Sequence, residues 1–130
     1  MSKQLLAKGL GASPGQATGE IVFRSEDAIR LGSSGKSVIL VRIETTPDDV
    51  PGIKAAAGIV TTRGGLTGDA AIVARSLGKP CIAGCPPLRV DYTNDRLTVW
   101  RDSTTDDADI VLHKGDVITI DGASGELWTG

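Results

Sequence analysis

Thr61–Pro80, TTRGGLTGDAAIVARSLGKP, is the stretch whose reading decides the fold. A small apolar run, Gly58-Ile59-Val60, feeds it and reads as a strand. A polar loop follows (Thr61, Thr62, Arg63, Gly64, Gly65), which passes through Leu66-Thr67-Gly68-Asp69 into a short apolar helix. The spacing predicts that helix from about Asp69 to Leu77, closed by Gly78, with Ala70, Val73, Ala74 and Leu77 on one face and Arg75 and Ser76 opposite. Such a loop leaves unpaired N–H groups at the positive end of the helix, a place suited to an anion and to phosphate above all. Asp69, at its mouth, is an anion itself.

Outward from this stretch the chain alternates short strands with short helices. Residues 5–18 read as a lead-in followed by a turn-rich loop around Ser13-Pro14-Gly15, and Glu20-Ile21-Val22-Phe23 as a brief strand. Ser25 is the expected cap of a helix that carries Glu26 and Asp27 in its first turn. Val38-Ile39-Leu40-Val41 is continuous in its hydrophobicity, which predicts a strand buried on both faces. Thr46-Pro47-Asp48-Asp49 reads as a helix start, with a break or restart at Pro51.

The second half is β-rich. Cys81-Ile82-Ala83 is a short strand; Leu88–Val90 and Arg96–Trp100 form a hairpin around a Thr93-Asn94-Asp95 turn; Ile110–Leu112, Val117–Ile120 and Glu126–Trp128 are further strands. The acidic run Asp102–Asp109 reads as a solvated loop. The pattern is that of one compact α/β domain over residues 1–130, a mixed β/β/α sandwich. It is not a doubly wound nucleotide fold, because the G-x-G-x-x-G spacing is missing.

Composition narrows the function classes. A net charge of −2 without a basic stripe argues against nucleic acid as a partner. No apolar run approaches a bilayer span and the N-terminus lacks a signal-peptide pattern, so the expected place is the cytoplasm. Cys81 and Cys85 match neither the common zinc nor the redox spacing and read as buried reduced thiols. No metal site is expected.

With Gly64-Gly65-Leu66-Thr67-Gly68-Asp69-Ala70-Ala71-Ile72-Val73-Ala74-Arg75 in view, the chain resembles the phosphohistidine (swivelling) domain of the phosphoenolpyruvate-utilising enzymes. Their motif is approximately G-G-x-T-S-H-A-A-I-V-A-R, followed by Gly-x-Pro-Cys, here Gly78-Lys79-Pro80-Cys81. Gly9–Phe23, Val38–Thr46, Cys81–Cys85 and Lys114–Gly130 extend the likeness, closest to the dikinase branch. The resemblance implies a domain whose motif histidine takes up a phosphoryl group and swings to deliver it. Neutral imidazole suits that task near pH 7.

The resemblance also places Asp69 where the histidine belongs and Gly68 where a serine does. It implies phosphate contacts from Gly64, Gly65, Thr67, Gly68 and Arg75, and a regulatory phosphorylation position at Thr67. The sole histidine, His113, lies far from the motif in sequence. Three readings of Asp69 follow. It caps the helix, worth about 1 kcal/mol, in a catalytically silent binding or regulatory module. It is itself a phosphoryl acceptor, with Arg63 and Arg75 as cations but no second acid adjoining it in sequence. Or the carrier is supplied by another chain. Family reactions use Mg²⁺ with ATP or phosphoenolpyruvate on domains absent here, so the chain needs no cofactor of its own. The expected partners are a nucleotide-binding or a phosphoenolpyruvate/pyruvate-binding phosphotransferase domain, or a second copy of the chain.

Overall fold

The computed structural model describes residues 4–100 and 109–129; the expected acidic loop therefore lies outside the described residues, except for Asp109. Among the described residues, eleven strands and three α-helices follow in the order β1 (Leu5–Lys8), β2 (Leu10–Ser13), β3 (Gln16–Val22), α1 (Ser25–Ser33), β4 (Val38–Arg42), α2 (Val50–Ala55), β5 (Gly58–Thr61), α3 (Asp69–Leu77), β6 (Cys81–Ala83), β7 (Leu88–Asp91), β8 (Arg96–Val99), β9 (Ile110–His113), β10 (Val117–Asp121) and β11 (Glu126–Thr129). A 3₁₀ turn, Pro47–Asp49, leads into α2, which restarts at Val50-Pro51 as expected.

The large sheet runs β1-β11-β10-β3-β4-β5-β6-β2, and β7-β8-β9 form a second, antiparallel sheet. Strands β3 to β6 are parallel neighbours. β1 and β2 stand at opposite ends of the large sheet's order, yet only Gly9 separates them, so the sheet curls back on itself. Gly9 N–H donates to the Gly125 carbonyl at 2.9 Å across that junction.

Period-2 alternation explains the layers. On β4, Ile39 and Val41 face one core with Leu88, Leu97 and Val99 of the small sheet and with Ile118, Ile120 and Leu127. Val38 and Leu40 face the other, with Ala28 of α1, Ile53 of α2 and Ala70, Ala71 and Ala74 of α3. The central sheet is thus covered by strands on one side and helices on the other, which is the expected β/β/α sandwich. Alanine on α3 lets its axis approach the sheet closely; Val73 and Leu77 sit half-buried at the border, while Ile72 is 51% exposed.

Two sequence expectations fail locally. The 5–18 lead-in is in fact three pairing strands, because β1 and β2 pair with β11 and β6 rather than with each other, and such distant partners leave no local signal. Ser25 is not a cap. Arg24 holds the cap position without a side-chain bond, and Ser25 is the first helical residue, buried, its hydroxyl donating to Asp49 Oδ1 at 2.7 Å. The thiols are free and buried as expected. Burial pushes Cys81 up to about 12 and Cys85 to about 11, so both stay protonated and unreactive near neutral pH.

Candidate functional site

Parallel neighbours β4 and β5 end side by side, so the segments that leave their C-terminal ends converge. The segment after β5 carries the glycines; the one after β4 carries Ile43, Glu44 and Thr45. Two backbone bonds stitch them together: Thr62 N–H to the Arg42 carbonyl at 3.1 Å, and Arg63 N–H to the Ile43 carbonyl at 3.0 Å. Between them opens a cleft of about 290 Å³, lined among others by Glu44, Thr45, Arg63, Gly64, Gly68 and Asp69.

Helix α3 starts at the rim of this cleft. Gly68 is the cap residue, in extended backbone with φ −73° and ψ 165°, and no side chain caps the helix. Asp69 is the first helical residue. Its carboxylate is exposed and makes no hydrogen bond or ion pair among the described residues, so the expected Asp69 cap is not formed. A side chain at the first helical position has already passed the N–H groups that a cap residue reaches. What remains is the favourable end of the helix dipole, about 0.3–1 kcal/mol for an exposed acid.

The glycine loop is held from below. Thr61, 1% exposed, donates its hydroxyl to the Arg63 carbonyl at 2.8 Å and accepts the Gly84 N–H at 3.4 Å. Gly84 approaches so closely that a Cβ there would lie 2.5 Å from the Gly64 carbonyl oxygen. Arg75 clamps the loop from the helix side: Nη1 donates to the Ala12 carbonyl at 3.0 Å and Nη2 to the Leu66 carbonyl at 2.6 Å.

The expected phosphate-binding set is therefore brought together only in part. Gly64, Gly65 and Gly68 line the cleft with Asp69. Thr67 is exposed and outside the lining, and Arg75 holds two backbone carbonyls instead of facing it. Sequence reasoning missed Glu44. No acid adjoins Asp69 in sequence, but the adjacency of β4 and β5 brings Glu44 to the same cleft. The parallel pairing of two apolar runs was the only available signal. His113 ends β9 on the small sheet, exposed, with Nδ1 3.9 Å from Asp116 Oδ2, and does not line the cleft.

The two loop glycines differ. Gly64 has φ +93°, whereas Gly65 is not in the left-handed region and has open space where a Cβ would stand. Gly64→Ala is expected to lower stability by about 1–2 kcal/mol, and Gly65→Ala to stay within about 0.5 kcal/mol. Urea unfolding of the two variants checks this; equal losses would contradict it.

Residues 35–125 match the family described as PEP-utilising enzyme, mobile domain. The chain belongs to that family. It is 50% identical over 128 residues to pyruvate, phosphate dikinase of Rhizobium meliloti (strain 1021), covering 98% of this chain and 13% of that enzyme. It is 48% identical over 128 residues to the chloroplastic pyruvate, phosphate dikinase 1 of Arabidopsis thaliana, covering 98% of this chain and 12% of the enzyme. For the dikinase of Rickettsia conorii the figures are 48% over 125 residues, 96% and 13%. The chain thus spans about an eighth of the length of these curated relatives.

The fold is shared more widely than the sequence. The solution NMR structure of a UPF0107 protein superposes with a TM-score of 0.54 at 14% identity, over 99% of each chain. Among the described residues, no helix of this mobile domain is long and apolar enough to cross a membrane.

Proposed function

We propose that this mobile domain keeps the phosphoryl-carrier scaffold but does not itself accept a phosphoryl group from phosphoenolpyruvate, and that it acts as a binding or regulatory module toward a phosphotransferase domain. The observation that carries this reading is Asp69. In our reading of the motif GGLTGDAAIVAR, Asp69 takes the position of the family's histidine; it is the first residue of α3, exposed, and lines the cleft. A carboxylate repels the charge of an incoming phosphoryl group, and a neutral imidazole does not. The sole histidine, His113, ends β9 on the small sheet and is not part of the lining.

Loop and helix still offer what phosphate needs: glycine backbone, the N–H groups of the first helical turn and the Arg63 guanidinium, unpaired among the described residues. A partner domain that receives this loop would meet the Asp69 carboxylate in place of a transferable group. Thr67, two residues from Asp69 and exposed, is the position at which a kinase could add to that charge.

Wild-type protein incubated with phosphoenolpyruvate and a separate phosphoenolpyruvate-binding barrel domain is expected to keep its intact mass, and Asp69→His to gain one phosphoryl group. Phosphorylated wild type would overturn the reading. Glu44 on the same cleft favours one alternative, in which Asp69 is the acceptor, with Glu44 helping to hold a divalent cation that offsets the charge. That case is recognised by a wild-type adduct that hydroxylamine removes and Asp69→Asn abolishes.

A further inference from the structure

A second cleft, of about 390 Å³, is lined by Ile43, Thr62, Arg63, Leu88, Arg89 and Val90. Arg63 lines this cleft and the one that holds Asp69. We propose that the second cleft is a binding site for a small phosphate monoester with a short apolar body.

Its lining carries two cations and no acid. The Arg63 guanidinium has no hydrogen bond or ion pair among the described residues, so it is free to turn toward a ligand. Arg89 is fixed: Nη1 donates to the Pro86 carbonyl at 2.6 Å and to the Leu88 carbonyl at 3.0 Å, and its guanidinium stacks 5.7 Å from the Trp100 ring centroid. That leaves Nε and Nη2 of Arg89 without a hydrogen bond among the described residues. One fixed and one mobile guanidinium suit an anion that presents several oxygens.

The floor is apolar. Leu88 is 1% exposed, while Ile43 and Val90 are half-buried and contribute aliphatic surface. A bare phosphate ion would leave this floor wet, whereas an ester with a ring or short chain would cover it. The volume is within the ordinary range for small-molecule clefts. In a chain of net charge −2, a cleft with two guanidinium groups and no carboxylate on its lining is an anion's place.

The test is titration of the whole chain with phenyl phosphate, followed through backbone amide shifts. Saturable shifts are expected at Thr62, Arg63, Arg89 and Val90. Arg63→Gln and Arg89→Gln should each weaken binding about tenfold, the loss of one charge-assisted hydrogen bond. Inorganic phosphate should bind several-fold more weakly, since it leaves the floor uncovered. Asp69→Asn should leave the affinity for phenyl phosphate within about twofold, which separates this site from the phosphoryl-transfer reading. Absent saturation, shifts confined to the start of α3, or full affinity in the Arg63→Gln/Arg89→Gln double variant would each overturn the proposal. Both arginines are exposed, and Arg89→Lys, which keeps charge but loses the fork, should fall between wild type and Arg89→Gln.

Discussion

Asp49→Ala is expected to destabilise the domain by about 2–4 kcal/mol, read as a lowered urea midpoint. Asp49 is 6% exposed in the 3₁₀ turn that precedes α2. Oδ1 accepts the Ser25 hydroxyl at 2.7 Å and Oδ2 accepts the Thr46 N–H at 3.0 Å. Arg42 Nε lies 3.7 Å from Oδ2, buried and without a hydrogen bond of its own. The same guanidinium donates through Nη1 to the Phe23 carbonyl at 2.8 Å and lies 4.7 Å from the Tyr92 ring centroid, while the Tyr92 hydroxyl accepts the Ile43 N–H at 2.7 Å.

Removing the carboxylate therefore strands a partly buried cation and two donors at once. The Arg42 side chain keeps 22% exposure, which holds the expectation below that of a fully buried ion pair. Asp49→Asn, which retains acceptor geometry, should lose less than half as much. Because the network anchors both ends of the Ile43–Thr46 segment, the loosened variants should also show faster amide exchange at Glu44 and Thr45. A loss under about 0.5 kcal/mol for Asp49→Ala would mean that the network carries little weight.

Gly122→Ala should be more severe still: a protein without a cooperative unfolding transition, or a loss above about 4 kcal/mol. A Cβ on Gly122 would overlap the Ser13 carbonyl oxygen and come within 2.9 Å of the Cys81 backbone nitrogen. Neither neighbour can step aside. Ser13 and Cys81 are register partners in the β2–β6 pair, and the Gly122 N–H itself donates to the Gly15 carbonyl at 2.8 Å. Gly11 faces the same junction, where its own Cβ would stand 2.7 Å from the Gly122 carbonyl oxygen. Gly65→Ala serves as the control; if both variants melted alike, the close approach would not be the cause.

How much of this was legible beforehand depended on whether the signal was local. The strand at Val38–Val41, the helix at Asp69–Leu77 and the hairpin turn at Thr93–Asp95 carry their reasons within a few residues: continuous apolar character, helical spacing, and turn-forming side chains. In the turn, Asp91 Oδ1 accepts the Thr93 and Asn94 N–H groups at 3.1 and 3.2 Å, and Asp95 takes φ +51°.

Other features depended on partners distant in sequence. β1 pairs with β11 across nearly the whole chain, and Ser25 turned from a presumed cap into a hydrogen-bond partner of Asp49, 24 positions on. The same holds at the site. Glycine loop and helix start were visible as a motif, but Glu44 joins them only because β4 and β5 lie side by side, and Arg75 bonds the Ala12 and Leu66 carbonyls, 63 and 9 positions away in sequence.

The pairing of β1 with β11 has a practical side. Gln4 N–H donates to Thr129 Oγ1 and Thr129 N–H to the Gln4 carbonyl, both at 2.9 Å. Positions 4 and 129 are thus close enough for a few residues to bridge them. Joining them and reopening the backbone at the exposed Thr93-Asn94 tip would give a circularly permuted chain with every strand of the large sheet still paired. In such a permutant the new ends would emerge from the small sheet, which packs on the face of the large sheet opposite α3 and the Asp69 cleft.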